Sequence, residues 1–268
     1  MRFLGLDISS TSTGWCVVDV NDSTKALVEY GLICPVGGMG VTQRLYFFGN
    51  ELKKIIDKFA PNQIAAEETI LVRGPKIMRT LSRFSGVALF LAYSYQKNEI
   101  PVFEPSMWKK SLCISGSAKK PEVQLKVCEA FGLIDKMKID KYLEELREIQ
   151  KDEKNIDITI SKEFKLLEKD VEKSDLDFKK SSREYKRLKK KEITESMTTA
   201  LSTQELELVA KKENLKIKKK QCAEAFRDIV KRYEKMSIDV YSDSGVNQDV
   251  ADSLGVALKA IRDVYPKI

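Results

Sequence analysis

From Asp135 to Met236 the chain runs for 102 residues without a proline or a glycine, and 28 Lys/Arg with 23 Asp/Glu make half of them charged. Nothing in such a stretch interrupts a helix, and its Lys, Glu and Leu content favours one locally. Apolar or small residues recur in steps of three and four from Phe164 through Leu167, Val171, Ser174, Phe178, Ser181 and Tyr185 to Leu188. A second series, Leu208, Leu215, Cys222, Ile229 and Met236, recurs every seven, with Phe226 and Tyr233 between. Ser202 and Glu205 form a capping-box pattern between the two series. Two heptad helices joined near Ser202 predict an antiparallel coiled-coil hairpin. A shorter helix over Asp140 to Lys151 is expected to precede it. Two basic runs, Lys186 to Lys191 and Lys216 to Lys220, should then lie close together.

The remaining chain carries only 19 Lys/Arg and 17 Asp/Glu (47 − 28 and 40 − 23) and has a different pattern. Arg2 to Ser9, Gly14 to Val20 and Lys25 to Cys34 read as three antiparallel strands. A helix is expected over Thr42 to Phe59, a strand over Gln63 to Thr69, and a long helix over Pro75 to Lys97 with proline in its first turn. The strand "IPVFEP", a helix near Pro121 to Phe131 and a last helix over Asn247 to Val264 follow. Strands that are first sequential and then alternate with helices predict an α/β fold: a mixed five-stranded sheet flanked by helices. The expected organisation is 1–134 and 238–268 as one core, with 135–237 inserted.

Composition narrows the function classes. A net charge of +7 permits nucleic-acid binding without requiring it. Five cysteines without CxxC spacing read as thiols of a reducing compartment, and the early apolar run with Asp7 reads as a strand, not a signal peptide. The longest apolar stretch, Gly86 to Ala92, is too short to span a bilayer. The expectation is a cytoplasmic protein without a membrane partner.

Four acids stand out from this background. Asp7 and Glu67 lie in apolar, strand-like runs, and Asp249 and Asp252 lie three apart on the last helix, so the latter two share a face. Glu67 and Glu68 point to opposite sides of a strand, so only one can join Asp7. A turn-capping aspartate, a solvated strand-end pair and helix N-terminal acids are the plainer readings of these positions. Against them, carboxylates buried together need a cation. With no histidine in the chain, that cation is one that takes oxygen ligands, Mg²⁺ or Mn²⁺. Such a set suits two-metal phosphodiester hydrolysis. "SGSAKK" places small residues and Lys119 and Lys120 just before a helix, an arrangement suited to phosphate.

The order of "LGLDISSTSTGW", the strand acid Glu67, "GSAKK" before a helix, and "DVADSLGVAL" resembles the RuvC family of Holliday junction resolvases, within the RNase H-like nucleases. The resemblance implies that Asp7, Glu67, Asp249 and Asp252 are catalytic carboxylates holding two Mg²⁺ or Mn²⁺ ions. It implies that Lys120 and Lys109 are basic residues near the scissile phosphate, with Lys119 also at the DNA. It further implies a homodimer acting on a four-way junction, through a helix containing Gly86, Val87, Ala88 and Leu89, and products ending in 5′-phosphate and 3′-hydroxyl. Ile70 and Leu71 stand where family members can carry an aromatic wedge; Ile70 and Arg73 are counted as candidate DNA contacts. The inserted helices have no counterpart in the resemblance and could extend a dimer, hold DNA or dock a protein. Two other functions fit parts of the chain: a non-enzymatic DNA-binding scaffold, and an actin-like sugar kinase or ATPase suggested by "LGLDISSTSTGWCVVD". The second lacks the further phosphate loop and glycine-rich adenosine motif that it needs.

Overall fold

A computed structural model describes residues 1–21, 24–69, 74–187 and 195–266. They divide into two compact units, 1–146 with 234–268, and 147–233.

The first unit is built on a five-stranded sheet. Strands β1 (Arg2–Asp7), β2 (Thr13–Val20) and β3 (Lys25–Ile33) form an antiparallel meander. Strand β4 (Gln63–Glu67) pairs parallel to β1 and the short β5 (Val102–Phe103) pairs parallel to β4, giving the order β3-β2-β1-β4-β5. Parallel neighbours need a crossover, and helices α1 (Val41–Phe59) and α2 (Pro75–Gln96) supply it. Pro75 opens α2, where its missing N–H costs nothing.

Side-chain alternation along the strands sends two sets of residues to two different layers. Leu4, Leu6, Trp15, Val17, Ile64 and Ala66 bury themselves in one cluster with Phe48, Leu52, Ile56, Phe84 and Ala88 of α1 and α2. On the opposite parity the sheet is covered by α8 (Gln248–Val264), accompanied by α3 (Pro105–Ser111) and α4 (Lys120–Phe131). Asn247 caps α8, its side chain accepting the Val250 N–H at 2.9 Å. Helix α8 buries Val250, Leu254, Val256, Leu258 and Ile261, each worth roughly 1.5–3 kcal/mol.

Two glycines set how closely α8 approaches. A Cβ on Gly5 would stand 2.3 Å from the Ser253 carbonyl oxygen, and one on Gly14 would stand 2.0 Å from that of Asp249. Only a residue without a side chain admits the helix backbone there. The first turn of α8 therefore rests on the strand end that carries the β1–β2 turn.

The second unit contains the remainder of α5 (Lys136–Thr159), a π-helical turn Ile160–Phe164, α6 (Lys165–Arg187) and most of α7 (Glu195–Ser244). Its arms run antiparallel. Lys211 pairs with Asp170, Lys212 with Asp175, Lys218 with Glu163, Lys219 with Glu168 and Arg232 with Asp152. From Lys211 and Lys212 through Lys218 and Lys219 to Arg232 the partners move back from 170 and 175 through 163 and 168 to 152, each pair summing to between 381 and 387.

Three local expectations are corrected. The helix expected over Asp140 to Lys151 is part of the 24-residue α5. Ser202 lies inside the 50-residue α7, so no turn forms there; the intrinsic preference of the surrounding residues for helix outweighs an isolated capping-box pattern. Helix α6 ends at Arg187 and α7 begins at Glu195, and residues 188–194 between them lie outside the described residues. The described start of the first basic run, Lys186 and Arg187, is consequently not a neighbour of the second. By the pairing register, Lys218 and Lys219 lie opposite Glu163 and Glu168, about 20 residues or roughly 30 Å of helix from Lys186. The part of the first run from residue 188 onward lies outside the described residues. So do Ile70, Leu71 and Arg73.

Helix α3 has no counterpart in the sequence expectation, being only seven residues long. Among the described residues no helix is long and apolar enough to cross a membrane.

Candidate active site

Asp7 is the last residue of β1 and Glu67 the last of β4. The parallel register pairs Gly5 with Ala65 and Leu6 with Ala66. One further step sets Asp7 beside Glu67, both on the parity of Gly5 that faces α8. Glu68 takes the opposite parity and is exposed. Asp249 and Asp252 enter on the first turns of α8, which the Gly14 contact holds against the end of β2. Gly14 itself is the register partner of Asp7.

The electrostatics show that these acids share one environment. The Asp7 carboxyl is pushed well above the usual carboxylate range, first by burial and then by repulsion from Glu67, Asp252 and Asp249, with Lys120 opposing. Glu67 rises to about 7, chiefly through burial and then through Asp252; Lys109 pulls it down. Asp252 rises to about 6 by burial, against the Gln248 hydrogen bond and the charges of Lys109 and Lys120. Among the described residues no three Cys, Asp or Glu side chains are close enough to form a closed ligand cluster. The acids therefore act on one another across a shared space, not by contact.

Neutral groups orient two of the four. The Ser12 hydroxyl in the β1–β2 turn donates to Asp249 Oδ2 at 2.6 Å. The Gln248 amide donates to Asp252 Oδ1 at 3.0 Å. Around Glu67, the buried Trp108 matters. Its indole N–H makes no hydrogen bond of full geometry, yet it lies near enough to lower the Glu67 carboxyl, and the ring packs on Gly255 of α8.

The basic residues divide. Lys120 begins α4 and acts on Asp7 and Asp252; Lys109, on α3, acts on Glu67 and Asp252 and donates to the Ala118 carbonyl at 3.4 Å. Lys119 is the N-cap residue of α4. The structure thus brings Asp7, Glu67, Asp249, Asp252, Lys109 and Lys120 to one sheet end. Ser12, Gln248 and Trp108 were not singled out in the sequence; Ser12 lies within the quoted "LGLDISSTSTGW", and Trp108 immediately precedes Lys109.

The chemistry of the donor set fits a hard divalent cation. Its oxygens are all carboxylate, and the two lysines lower the acids' protonation without removing the mutual repulsion. Zinc and copper, which select nitrogen and sulfur, find neither ligand here.

A mixed sheet of this order, with carboxylates at the ends of adjacent strands and on a final helix, defines an RNase H-like nuclease fold. The family model for "Crossover junction endodeoxyribonuclease RuvC" matches residues 3–142, about half of the chain. The chain belongs to the RuvC family. Its similarity to the RuvC of Xanthobacter autotrophicus is 33% identity over 127 residues, 47% of this chain and 75% of that protein. For the RuvC of Dictyoglomus thermophilum it is 26% over 140 residues, 52% of this chain and 88% of that one. The solved structure of Thermus thermophilus RuvC overlaps 49% of this chain and 81% of its own, with TM-score 0.44 and 22% identity. The family match stops at residue 142, so Asp249 and Asp252 lie beyond it.

Proposed function

We propose that this protein is a metal-dependent endonuclease that nicks branched DNA, with the four-way Holliday junction as substrate. Family membership supports the nuclease class. The observation that carries the site assignment is geometric: Asp7 and Glu67 end adjacent parallel strands, and the first turns of α8, bearing Asp249 and Asp252, are held against that sheet end at Gly14.

In this reading the four carboxylates hold two Mg²⁺ or Mn²⁺ ions. Those ions, when bound, would supply the Lewis acidity needed to polarise the phosphodiester and stabilise the leaving oxygen. The chain's own residues do the positioning. Lys109 and Lys120 flank the acids and attract the scissile phosphate, and Lys119 extends the positive edge at the start of α4. Ser12 and Gln248 keep the Asp249 and Asp252 carboxylates from rotating away from the shared space. Ile70 and Arg73 complete the proposed DNA contacts. The nuclease work falls to residues 1–134 and 238–268, and the segment 135–237 is a helical addition, proposed to pack as a coiled coil.

A homodimer fits a substrate with two equivalent strands to cut. Helix α2 buries Phe84, Ala88 and Ala92 in the core and turns Gly86, Phe90 and Tyr93 outward. Phe90 is 70% exposed and nothing lies within 4 Å of a Cβ placed on Gly86. That is the face proposed to meet a second copy.

The test is cleavage of a labelled four-way junction with Mg²⁺, beside matched duplex and fork. Paired symmetric nicks in the junction, lost in Asp7→Asn, support the reading. Equal cutting of the fork would retain the nuclease and broaden its substrate. Binding without cutting would replace it with a scaffold.

A further inference from the structure

The second unit sorts its charges in an uneven way. On α6 a half-buried stripe runs through Leu167, Val171, Ser174, Phe178 and Ser181. The acids beside that stripe are occupied: Glu168, Asp170 and Asp175 pair with Lys219, Lys211 and Lys212 of α7. The face turned away from the stripe is different. Lys165, Lys169 and Lys173, then Lys180, Arg183 and Arg187, recur there at helical spacing with the exposed Leu176 between the two groups, and all six are exposed. Glu172 is the one acid among the described residues of that face.

The outward face of α7 makes a useful contrast. Lys220, Arg227 and Lys231 are interleaved there with Glu213, Glu224 and Asp228, so charge cancels along it. A helix that merely needs solubility is served by the α7 arrangement. The α6 arrangement sets six cations against Glu172 on that face, with Asp177 and Glu184 only at its edge, at a Coulombic cost within the helix, since like charges three and four apart repel.

From this segregation we infer that the outward face of α6 is a binding surface for the phosphate backbone of duplex DNA, separate from the carboxylate site. From Lys165 to Arg187 is 22 residues, about 33 Å of helix. At 3.4 Å per base pair that is about ten base pairs, one helical turn of duplex. Two groups of three cations along that length match a polyanion whose charge recurs along one side of the duplex. A membrane surface is the less suited partner. An interfacial helix needs a free apolar face, and the apolar stripe of α6 faces the α7 arm. The contacts would be to phosphate and so independent of sequence. The inference concerns binding alone and does not rest on the carboxylates being catalytic.

The test uses the full chain in EDTA, so that nothing is cut, with a fluorescent linear duplex of about 30 base pairs followed by anisotropy from 50 to 200 mM salt. The variant carries Lys169→Gln, Lys173→Gln, Lys180→Gln and Arg183→Gln, changes that retain helix propensity; equal helical circular dichroism checks its fold. Each phosphate contact adds about 0.9 to the salt slope. Loss of four should flatten the slope by about 3.6 and weaken binding at least tenfold at the low-salt end. A control with Lys220→Gln, Arg227→Gln and Lys231→Gln on α7 should change neither. Equal slopes for the α6 variant and wild type would overturn the inference. So would an α6 variant that loses binding to phosphatidylserine vesicles while keeping its duplex affinity. Nicking of a junction by the same variant at saturating protein, with Mg²⁺, reports separately on the proposed function.

Discussion

Aspartate and glutamate serve opposite ends in the two units of this protein. At the sheet end, four acids are drawn into one environment; three of them, Asp7, Glu67 and Asp252, are pushed upward by burial and by their neighbours. In the helical unit acids of one arm meet cations of the other, and Asp175, held by Lys179 of its own helix and Lys212 of the opposite arm, is lowered to about 2. Between its two arms the helical unit's charges satisfy one another. Those of the sheet end conflict, and only a ligand of opposite charge removes the conflict. Where a fold retains an unresolved electrostatic cost at a defined place, function is the first explanation to test.

The largest expected effect separates activity from stability. Asp7→Asn should lower Mg²⁺-dependent nicking by on the order of a thousandfold or more, as expected when one member of a catalytic unit is removed. In metal-free protein the same change should raise the melting temperature by several degrees, because it removes a buried charge from among like charges. Asp170→Asn in the helical unit should change neither by much. A destabilised Asp7→Asn would break the contrast.

Next comes the approach of α8. Gly14→Ala puts a methyl group 2.0 Å from the Asp249 carbonyl oxygen. The helix must shift, costing about 3 kcal/mol on the scale of overpacked cores, and both melting temperature and nicking should fall together.

The pH dependence follows from the direction of the shifts. Glu67 and Asp252 bind protons more readily folded than unfolded. Between an ordinary carboxylate range near 4.5 and about 7 the unfolded chain therefore holds fewer protons, and stability falls as pH rises. Thermal melts of metal-free protein from pH 4.5 to 7.5 should decline by several degrees from this source, and millimolar Mg²⁺ should restore the loss at the upper end. A metal-free melting temperature that climbs through this window would contradict the clustered-acid account.

Smaller effects sharpen the picture. Ser12→Ala removes the hydrogen bond to Asp249. Its expected cost is about tenfold in nicking rate at saturating substrate, with little change in junction affinity, because the hydroxyl orients a carboxylate and is not proposed to touch DNA. Lys212→Ala breaks an exposed pair with Asp175 and should cost less than about 1 kcal/mol.

Much of this was legible in the chain. Alternation and turn residues located all five strands to within a few positions, because a two-residue period with one buried face leaves little freedom of register. The acids could be recognised because a carboxylate in an apolar strand is conspicuous. The turn of the helical unit could not be placed. Ser202 and Glu205 make a capping pattern, but a pattern signals a helix start only where the chain also leaves the helix, and nothing around Ser202 forces that. Trp108 was equally hidden: a tryptophan in a short amphipathic segment looks like core, and only its position between Glu67 and Gly255 gives it a further role. The segregation of cations on α6 required the observed pairing, since the sequence alone does not say which acids are already engaged.

The most direct test of the central claim is to locate the cation. Crystals grown with Mn²⁺ and measured at an anomalous wavelength should show scattering peaks enclosed by Asp7, Glu67, Asp249 and Asp252, absent from Asp7→Asn crystals. Peaks among the acids of the helical unit, with none at the sheet end, would contradict the account.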